Sequence, residues 1–394
     1  MTIGGLILQV QRRESPSRAL KIAIPVLGTL AALVVGAFLL VLEGGSPSPF
    51  TVYREGLEGA FGSSFAVQES LLTAVPLVLT AGAAAVAFRA SIYNIGGEGQ
   101  MYVGAIAGAF VGLTFGDDLA GIVVIPLVLV GGVVAGGFWA LLAAIPKARW
   151  QVNEVLPTLM LNFVALNLMN YFIFGTTSIF RDPVTSTFPA GAHLPDPARL
   201  PVLTDRLDLS VLIAPGAILL VAALLTWTRW GFALRITGDS PSTARYAGVR
   251  LPRMILTVMF TSGGLAGLAG AVLVAGRVGA LEPRTLAVNL GYLGIVVAAL
   301  SRLNLVAVIP VAVLFGALDT AKPSMQVLGV PDALILVIEG SILFFVIVGD
   351  FWLRHTIAIT RRESDHDHSV ALAGAPLEGT SRSARPLETA DSEK

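Results

Sequence analysis

Long apolar segments constrain the folding of this chain more than any other feature of its sequence. A helix needs about 20 apolar residues to cross the hydrocarbon core of a bilayer, and stretches of that kind recur from residue 22 to residue 350. Charged residues make up only 13% of the chain, whereas soluble domains contain about a quarter. Because a helix satisfies its own backbone hydrogen bonds in lipid, the sequence predicts an all-α integral membrane protein.

Windows of spanning length predict about ten transmembrane helices. The segments lie at 22–42, 70–88, 101–115, 120–145, 155–174, 209–227, 254–275, 287–300, 304–320 and 332–350. No A-x-A-like cleavage site follows the first segment, so we expect a retained span rather than a signal peptide. The seventh segment contains Gly263-x-x-x-Gly267, a spacing that predicts close helix packing.

The positions of arginine and lysine predict the orientation of these spans. Both residue types favour cytoplasmic connections, and here they alternate along the chain as a topology with both termini inside requires. Acidic residues dominate the opposite side. The predicted regions are a cytoplasmic N-terminus at 1–21, a transmembrane domain at 22–353, a cytoplasmic loop at 228–253, external loops at 43–69 and 175–208, and a disordered cytoplasmic tail at 354–394.

A polar segment from Tyr93 to Gln100 interrupts the apolar sequence before the third predicted span. It contains three glycines, a carboxylate and two amides. One interpretation is a broken membrane helix of the kind that forms solute sites in transporters. The other is a cytoplasmic turn between two spans. Glu98 accordingly has a structural or gating role, or it contacts a solute directly.

The segment from Asn289 to Gly294 repeats the Asn-apolar-Gly-x-x-Gly spacing of Asn94 to Gly99. The two copies precede the third and eighth predicted spans, so they would have opposite orientations. This pattern predicts an inverted repeat of five plus five helices, with interrupted helices at matching positions.

Amides and aromatic residues share the fifth predicted span. Asn162 and Asn170 lie near one helix face, and Phe163 and Tyr171 follow them directly. Amide and ring together suit a heterocycle or a polyol. Equally, asparagine in a membrane helix can bridge neighbouring helices.

The segment from Trp230 to Arg250 is long for a loop that only joins two helices. A break at Gly238 to Pro241, with Asp239 or Ser240 as the N-cap, predicts a short helix over 242–247 that ends at Gly248. Such a helix is suited to docking into another protein, or it lies on the membrane surface.

Several kinds of chemistry find no support in the sequence. The chain has no cysteine and four histidines, without metal-ligand spacing, so we expect no metal site and no catalytic residues. None of its lysines lies in a G-x-x-x-x-G-K-[ST] phosphate loop. The energy for any transport must therefore come from a partner or from an ion gradient.

The motifs at Asn94–Gln100, Val152–Asn170 and Gly238–Gly270, and the segment Gly291–Leu318, resemble the branched-chain amino acid, simple sugar and nucleoside permeases of bacterial ABC importers. The similarity is greatest to nucleoside permeases of the simple-sugar type. Tyr292-Leu293-Gly294-Ile295 departs from the Phe-Asp-Gly-Ile that relatives often carry. The contribution of this position to solute binding or pairing is therefore in doubt.

The resemblance implies an assembly in the bacterial plasma (inner) membrane. Its partners would be a related second permease rather than an identical copy, two cytoplasmic ABC ATPases that use ATP and Mg, and an external lipoprotein or periplasmic binding protein. This chain would bind no cofactor and no nucleic acid. The expected solute pathway comprises Tyr93, Asn94, Glu98, Gln100, Asn162, Phe163, Asn289 and Tyr292. The expected ATPase-coupling residues are Gly238, Asp239, Ala244, Arg245, Ala247, Gly248 and Arg250.

We therefore expect an ABC importer permease that moves a nucleoside or related small polar solute by alternating access. One alternative is an ion- or proton-coupled transporter with Glu98 and Glu339 as proton carriers. Another is the same permease with a simple sugar or a branched-chain amino acid as its solute. An enzyme has no support from the residue pattern.

Overall fold

The computed structural model describes residues 2–3, 6–12, 18–44, 47–175, 178–183 and 189–361, and helices account for most of them. The helices are α1 (Arg18–Glu43), α2 (Pro49–Phe61), α3 (Ser64–Arg89), α4 (Gly97–Phe115), α5 (Gly121–Trp150), α6 (Val155–Asn170), α7 (Ser210–Trp227), α8 (Arg229–Asp239), α9 (Pro241–Tyr246), α10 (Leu251–Leu273), α11 (Pro283–Leu286), α12 (Leu290–Leu300), α13 (Leu305–Val327) and α14 (Asp332–Arg354). Helices α6 and α10 continue as π-helices over Tyr171–Gly175 and Val274–Val278.

Each predicted transmembrane segment overlaps a helix of the structure. Among the described residues, seven helical segments are long and apolar enough to cross a membrane. They are Ser64–Arg89, Gly121–Trp150, Val155–Gly175, Ser210–Trp227, Leu251–Val278, Pro283–Leu300 and Leu305–Val327. Helix α4 is not among them, because its first turn carries Glu98 and Gln100. An integral membrane protein is confirmed, and the count of ten spans stays a prediction.

Helices α3 and α10 form the centre of the bundle. In each of these two helices, 89% of the most apolar stretch is buried inside the protein, against 28–39% in the other candidate spans. The other spans therefore keep an apolar face on the outside of the bundle. Such faces suit lipid, where apolar side chains lose nothing by exposure.

Glycines let three helices touch through their backbones. A Cβ atom on Gly267 of α10 would lie 2.1 Å from the carbonyl oxygen of Gly132 on α5. A Cβ on Gly104 of α4 would lie 2.2 Å from the carbonyl oxygen of Gly267. Only small residues permit this approach, so the close packing predicted for Gly263-x-x-x-Gly267 is confirmed.

In the described part of the chain, five short strands accompany the helices: β1 (Thr2–Ile3), β2 (Leu6–Arg12), β3 (Val202–Thr204), β4 (Leu207–Asp208) and β5 (His355–Arg361). Strands β1, β2 and β5 form an antiparallel sheet in that order, with Leu6 opposite Arg361. This sheet belongs to a compact unit of residues 1–24 and 349–394, separate from the unit of residues 25–348 that holds most of the helices. Strands β3 and β4 form a hairpin inside the predicted external loop 175–208.

The mostly helical structure agrees with the predicted all-α class, but strands lie at the two ends of the chain, where none was predicted. His355–Arg361 was predicted as the start of a disordered tail, and 1–21 only as a cytoplasmic terminus. The β-branched residues Thr356, Ile357, Ile359 and Thr360 favour a strand, and β2 pairs with them. Residues 362–394 of the predicted tail lie outside the described residues.

Helix α2 corrects the prediction of a loop at 43–69. The Ser48 side chain accepts a hydrogen bond from the Thr51 amide, and Pro49 occupies the first helical turn, two features that start a helix. Val52, Gly56 and Ala60 recur at helical spacing and are buried. The segment is therefore a helix with a narrow face of small residues rather than a loop.

Candidate functional site

The connection between α3 and α4 is buried and is organised by Asn94. The Gly96 amide donates to Asn94 Oδ1 at 3.0 Å, which closes a local turn. Gln100 Nε2 also donates to Asn94 Oδ1 at 2.9 Å, and Asn94 Nδ2 donates to Gln100 Oε1 at 2.9 Å. Both amide side chains are buried, so the two groups satisfy each other away from water.

Ser262 joins this connection to the central helices. Asn94 Nδ2 donates to Ser262 Oγ at 2.9 Å, and Ser262 Oγ donates to the Ala83 carbonyl at 2.7 Å. Ser262 lies on α10 and Ala83 on α3. One hydroxyl therefore ties both central helices to the connection.

Asn162 attaches α6 to the first turn of α4. The Gly99 amide donates to Asn162 Oδ1 at 2.8 Å. Asn162 Nδ2 donates to the Ile95 carbonyl at 3.0 Å and to the Tyr292 hydroxyl at 2.9 Å. The amide thus bridges three elements, as the helix-bridging interpretation of Asn162 expects.

Glu98 joins the two copies of the glycine motif. Its carboxylate accepts hydrogen bonds from the Tyr102 hydroxyl one turn along α4 and from the Gly291 amide at the start of α12. A carboxylate at a helix N-terminus satisfies amides that have no partner within the helix. Here a carboxylate from the first turn of α4 satisfies an amide in the first turn of α12.

We call the seven side chains of Asn94, Glu98, Gln100, Tyr102, Asn162, Ser262 and Tyr292 the polar joint. Within the described residues, every buried side-chain nitrogen or oxygen except Trp139 Nε1 has a hydrogen-bond partner. In this conformation the buried atoms of the polar joint are therefore satisfied by the protein itself.

Three of the predicted pathway residues lie outside the polar joint. Tyr93, Phe163 and Asn289 are exposed. Asn289 instead precedes α12 with a φ of 60°, a left-handed conformation that asparagine tolerates. Two joint residues, Tyr102 and Ser262, were not predicted. Tyr102 follows Glu98 by one helical turn, and that spacing was the available signal.

A partly buried ion pair near the end of α5 holds the connection between α3 and α4. Glu154, at the N-terminus of α6, accepts a hydrogen bond from the Tyr93 amide at 2.9 Å and pairs with Lys147 Nζ at 2.7 Å. Burial raises the pKa of Glu154, but the hydrogen bonds from Lys147 and from the Tyr93 backbone lower it, so that the pKa lies below its usual value. The carboxylate is thus held in its charged form.

The loop between α7 and α10 contains the predicted short helix, shifted by one residue, and also helix α8, which the sequence analysis did not predict. Ser240 caps α9 by accepting from the Thr243 amide at 3.3 Å, and Gly248 ends the turn at a φ of 82°. Most of α9 is exposed, including Arg245 and Tyr246, the latter to 94%. The predicted coupling residue Ala244 is instead fully buried.

The same loop contacts the connection that carries the polar joint. Ser91 Oγ donates to the Gly238 carbonyl at 2.9 Å. A Cβ atom on Gly238 would lie 1.9 Å from the Arg89 carbonyl oxygen. The end of α8 and the end of α3 therefore meet backbone to backbone.

Glu339, which the sequence left without a role, lies in an ion-pair cluster. Lys322 Nζ lies 3.3 Å from Glu339 and 2.8 Å from Asp319. This cluster connects α13 to α14.

The sequence of this chain is similar to known transport proteins over most of its length. A family described as branched-chain amino acid transport system, permease component, matches residues 66–347. The glucose ABC transporter permease of Haloferax volcanii is 31% identical over 391 residues, which cover 96% of this chain and 99% of that protein.

Two further relatives come from bacteria. The guanosine ABC transporter permease of Bacillus subtilis is 32% identical over 326 residues, 82% of this chain and 92% of that protein. A nucleoside ABC transporter permease of Lactococcus lactis is 29% identical over 334 residues, 83% of this chain and 91% of that protein. The family match includes the polar joint and the whole segment from α8 to α10.

Proposed function

This chain belongs to the family of permease components of branched-chain amino acid transport systems, and from that premise we propose that the solute it carries is a nucleoside. It is a multi-pass permease subunit of an ABC importer in the plasma membrane. The observation that carries the nucleoside proposal is the pair of relatives named for guanosine and for nucleosides, at 32% and 29% identity.

A sugar is the second candidate solute. The glucose permease of Haloferax volcanii covers 96% of this chain, more than either nucleoside relative. A nucleoside and a hexose share a ring with several hydroxyl groups. The experiment on the solute must therefore include both.

The proposed assembly contains separate chains for energy and for solute capture. ATP and Mg would be used by cytoplasmic ATPases, since this sequence has no phosphate loop of its own. An external lipoprotein or periplasmic protein would deliver the solute. A related second permease would complete the pathway.

The proposed topology has ten spans, both termini inside and an inverted repeat. Two observations support the repeat. Helices α3 and α10 are both 89% buried in their apolar windows, and each is followed by an irregular connection. Those connections end at the two glycine motifs, where Glu98 joins α4 to α12.

The polar joint is proposed to act as a gate rather than as a tight solute site. Its buried amides and its carboxylate already have partners in the protein, so binding a solute there would first require breaking those hydrogen bonds. Opening the joint would expose several polar groups at once. That exchange would separate two discrete states of the joint.

Helix α9 is proposed as the contact with the ATPase. It exposes Arg245 and Tyr246, and Gly238 connects the loop to the end of α3. Movement of α9 would therefore reach the connection that begins the polar joint. In this arrangement Ala244 anchors α9 to the permease instead of contacting the ATPase.

The decisive experiment measures ATP hydrolysis by the complete complex in liposomes. Nucleosides, hexoses and branched-chain amino acids are presented separately, each with the binding protein. We expect stimulation by nucleosides. Stimulation by hexoses alone would reject the nucleoside as the solute and leave the role as a permease unchanged. Failure of any ATPase to copurify would contradict the proposed assembly.

A substitution on α9 tests the ATPase contact by itself. Arg245→Glu reverses an exposed charge, so we expect normal insertion and loss of ATPase copurification. Ser242→Ala on the same helix is the control and should retain the ATPase. Equal copurification by both variants would reject α9 as the contact.

A further inference from the structure

A small cavity lies where α3, α7 and α8 meet, outside the polar joint. Its volume is about 300 Å³, the room of about ten liquid water molecules at ~30 Å³ each. The lining residues are Arg89, Leu225, Gly231, Leu234, Arg235 and Asp239. Two arginines thus line the cavity, Arg89 at the end of α3 and Arg235 in the middle of α8.

The two guanidinium groups share this space without an acceptor. Among the described residues, neither Arg89 nor Arg235 has an ion-pair or hydrogen-bond partner for its side chain. Asp239, at the end of α8, also lines the cavity, but within the described part of the chain its carboxylate pairs with neither arginine. Like charges around one cavity repel each other, so an anion between the arginines would relieve an unfavourable interaction. Arginine presents paired donors that match phosphate oxygens.

The surroundings of the cavity are those of a membrane interface. Trp227, at the end of α7, is 83% exposed, and Phe232 on α8 is 63% exposed. Tryptophan concentrates at the level of lipid headgroups. On helix α8 the exposed Phe232 lies one turn before the exposed Arg235, and an apolar side chain beside a basic one is typical of a helix that lies in the interface.

We propose that Arg89 and Arg235 bind the phosphate group of an anionic phospholipid in the cytoplasmic leaflet. That leaflet is rich in anionic lipids, and basic pockets between helices on this side suit their headgroups. The cavity admits a headgroup phosphate with water, while the acyl chains stay in the bilayer beside α7. The bound lipid braces the junction where Gly238 meets Arg89.

An acidic side chain of the ATPase is a less fitting occupant than a lipid. Trp227 and Phe232 are exposed and lie within two residues of the lining residues Leu225 and Gly231, and water would surround these aromatic side chains if the cytoplasm reached this level. Helix α9 carries the exposed polar surface instead. The lipid proposal rests on the proposed orientation of the chain and is independent of the solute.

The test is lipid titration of the delipidated, complete permease–ATPase complex, read by native mass spectrometry. Phosphatidylglycerol should bind more tightly than phosphatidylcholine. Arg235→Gln should weaken phosphatidylglycerol binding about fivefold, and Arg89→Gln with Arg235→Gln about 25-fold, at roughly one headgroup interaction per arginine. Arg229→Gln removes an equal charge from an exposed position outside the cavity lining, so binding should stay as in the wild type.

Separate arms of the experiment identify the source of the phosphate. Phosphatidylglycerol should remain bound in millimolar inorganic phosphate, and displacement by inorganic phosphate would overturn the assignment to a lipid. Binding to the isolated permease but not to the complex would assign the cavity to the ATPase interface and overturn the proposal. Arg235 is exposed, so its substitution should not impair folding. An unchanged affinity in that single variant would also overturn the proposal.

Discussion

At the residue scale, Asn162 shows how one amide positions three elements. Its side chain accepts from Gly99 at 2.8 Å and donates to Ile95 and Tyr292 at 3.0 and 2.9 Å. The residue is almost completely buried. Groups that lose such a partner away from water keep the full cost of their desolvation.

Asn162→Leu should therefore destabilise the permease by about 2 kcal/mol or more, because buried backbone groups of Ile95 and Gly99 lose their partner. The measurement is the unfolding midpoint of the purified protein in detergent. Asn167→Leu is the matched control, since Asn167 is exposed and donates only to the Phe163 carbonyl of its own helix. Equal midpoints for the two variants would contradict the role given to Asn162.

Glu154 makes stability depend on pH in a defined direction. Its pKa is lower in the folded protein than usual, so the charged carboxylate stabilises the fold. That contribution is complete above the unfolded pKa of about 4.3 and is lost as pH falls through the folded value. Glu154→Gln should flatten the decline of stability below about pH 5, as measured by unfolding midpoints from pH 7 to pH 3.5. A decline as steep as that of the wild type would reject this assignment.

The sequence predicted those residues of the polar joint whose polar side chains lie within otherwise apolar sequence. Asn94, Glu98 and Asn162 interrupt apolar sequence, so each required an explanation. Ser262 gave no such signal, because a serine in a glycine-rich helix usually accompanies packing. Its role depends on Ala83 and Asn94, which are far away in the sequence, and only the fold brings them within 2.9 Å.

At the element scale, the contact between α8 and α3 decides how the loop is held. Gly238 has no side chain, and its backbone meets the Arg89 carbonyl and accepts from Ser91. A methyl group at this position would have to displace backbone atoms. Helix α8 is thus fixed to the start of the connection between α3 and α4.

Gly238→Ala should lower both stability and transport. A Cβ atom 1.9 Å from the Arg89 carbonyl oxygen forces the two elements apart, and overpacking of this kind costs about 1–3 kcal/mol. Solute-stimulated ATP hydrolysis in liposomes should fall with it. Gly216→Ala on α7 is the control, since no atom lies within 4 Å of its added Cβ. Full stimulation of the Gly238 variant would show that this contact carries no coupling.

Local capping signals predict α9, and signals of the same kind mark α2. Ser240 and Gly248 mark the ends of α9 through capping geometry that the sequence displays directly. The Ser48-Pro49 signal at α2 is of the same kind. Glu55 and Glu58 make this segment too polar for a predicted membrane span, whereas an amphipathic helix tolerates them.

At the scale of the whole molecule, orientation links the proposals to one another. The lipid site and the ATPase contact both require the loop from α8 to α9 on the cytoplasmic side. The segment from 43 to 69 must then lie outside. The chain contains no cysteine, which provides a background for labelling.

Single cysteines should report this orientation in intact cells. Glu58→Cys on α2 should react with a membrane-impermeant maleimide, whereas Ser242→Cys on α9 should react only after permeabilisation. Both positions are exposed, so access to the thiol is set by the membrane. Labelling of Ser242→Cys alone in intact cells would reverse the topology and move the proposed lipid to the other leaflet.

Hydropathy predicts where helices lie but not how remote segments pair. The predicted spans all overlap helices because apolar length is a property of consecutive residues. The pairing of β2 with β5 joins Leu6 to Arg361, and no short window contains both. The contact between the two glycine motifs likewise joins residues that no short window contains, so the sequence alone did not predict it.

The hydrogen bond from the Gly291 amide to Glu98 pins the first turns of two helices at one point. From that point α4 runs to the segment around Leu194 and Pro195. Helix α12 runs the other way, to the start of α13. The far end of α13 contacts α2 through Met325 and Gly56. Helices α4 and α12 thus extend from one shared point toward opposite faces of the bundle. If the two helices tilt together about that point, α4 moves inward at its face while α12 moves outward at the other, so both faces would not open together.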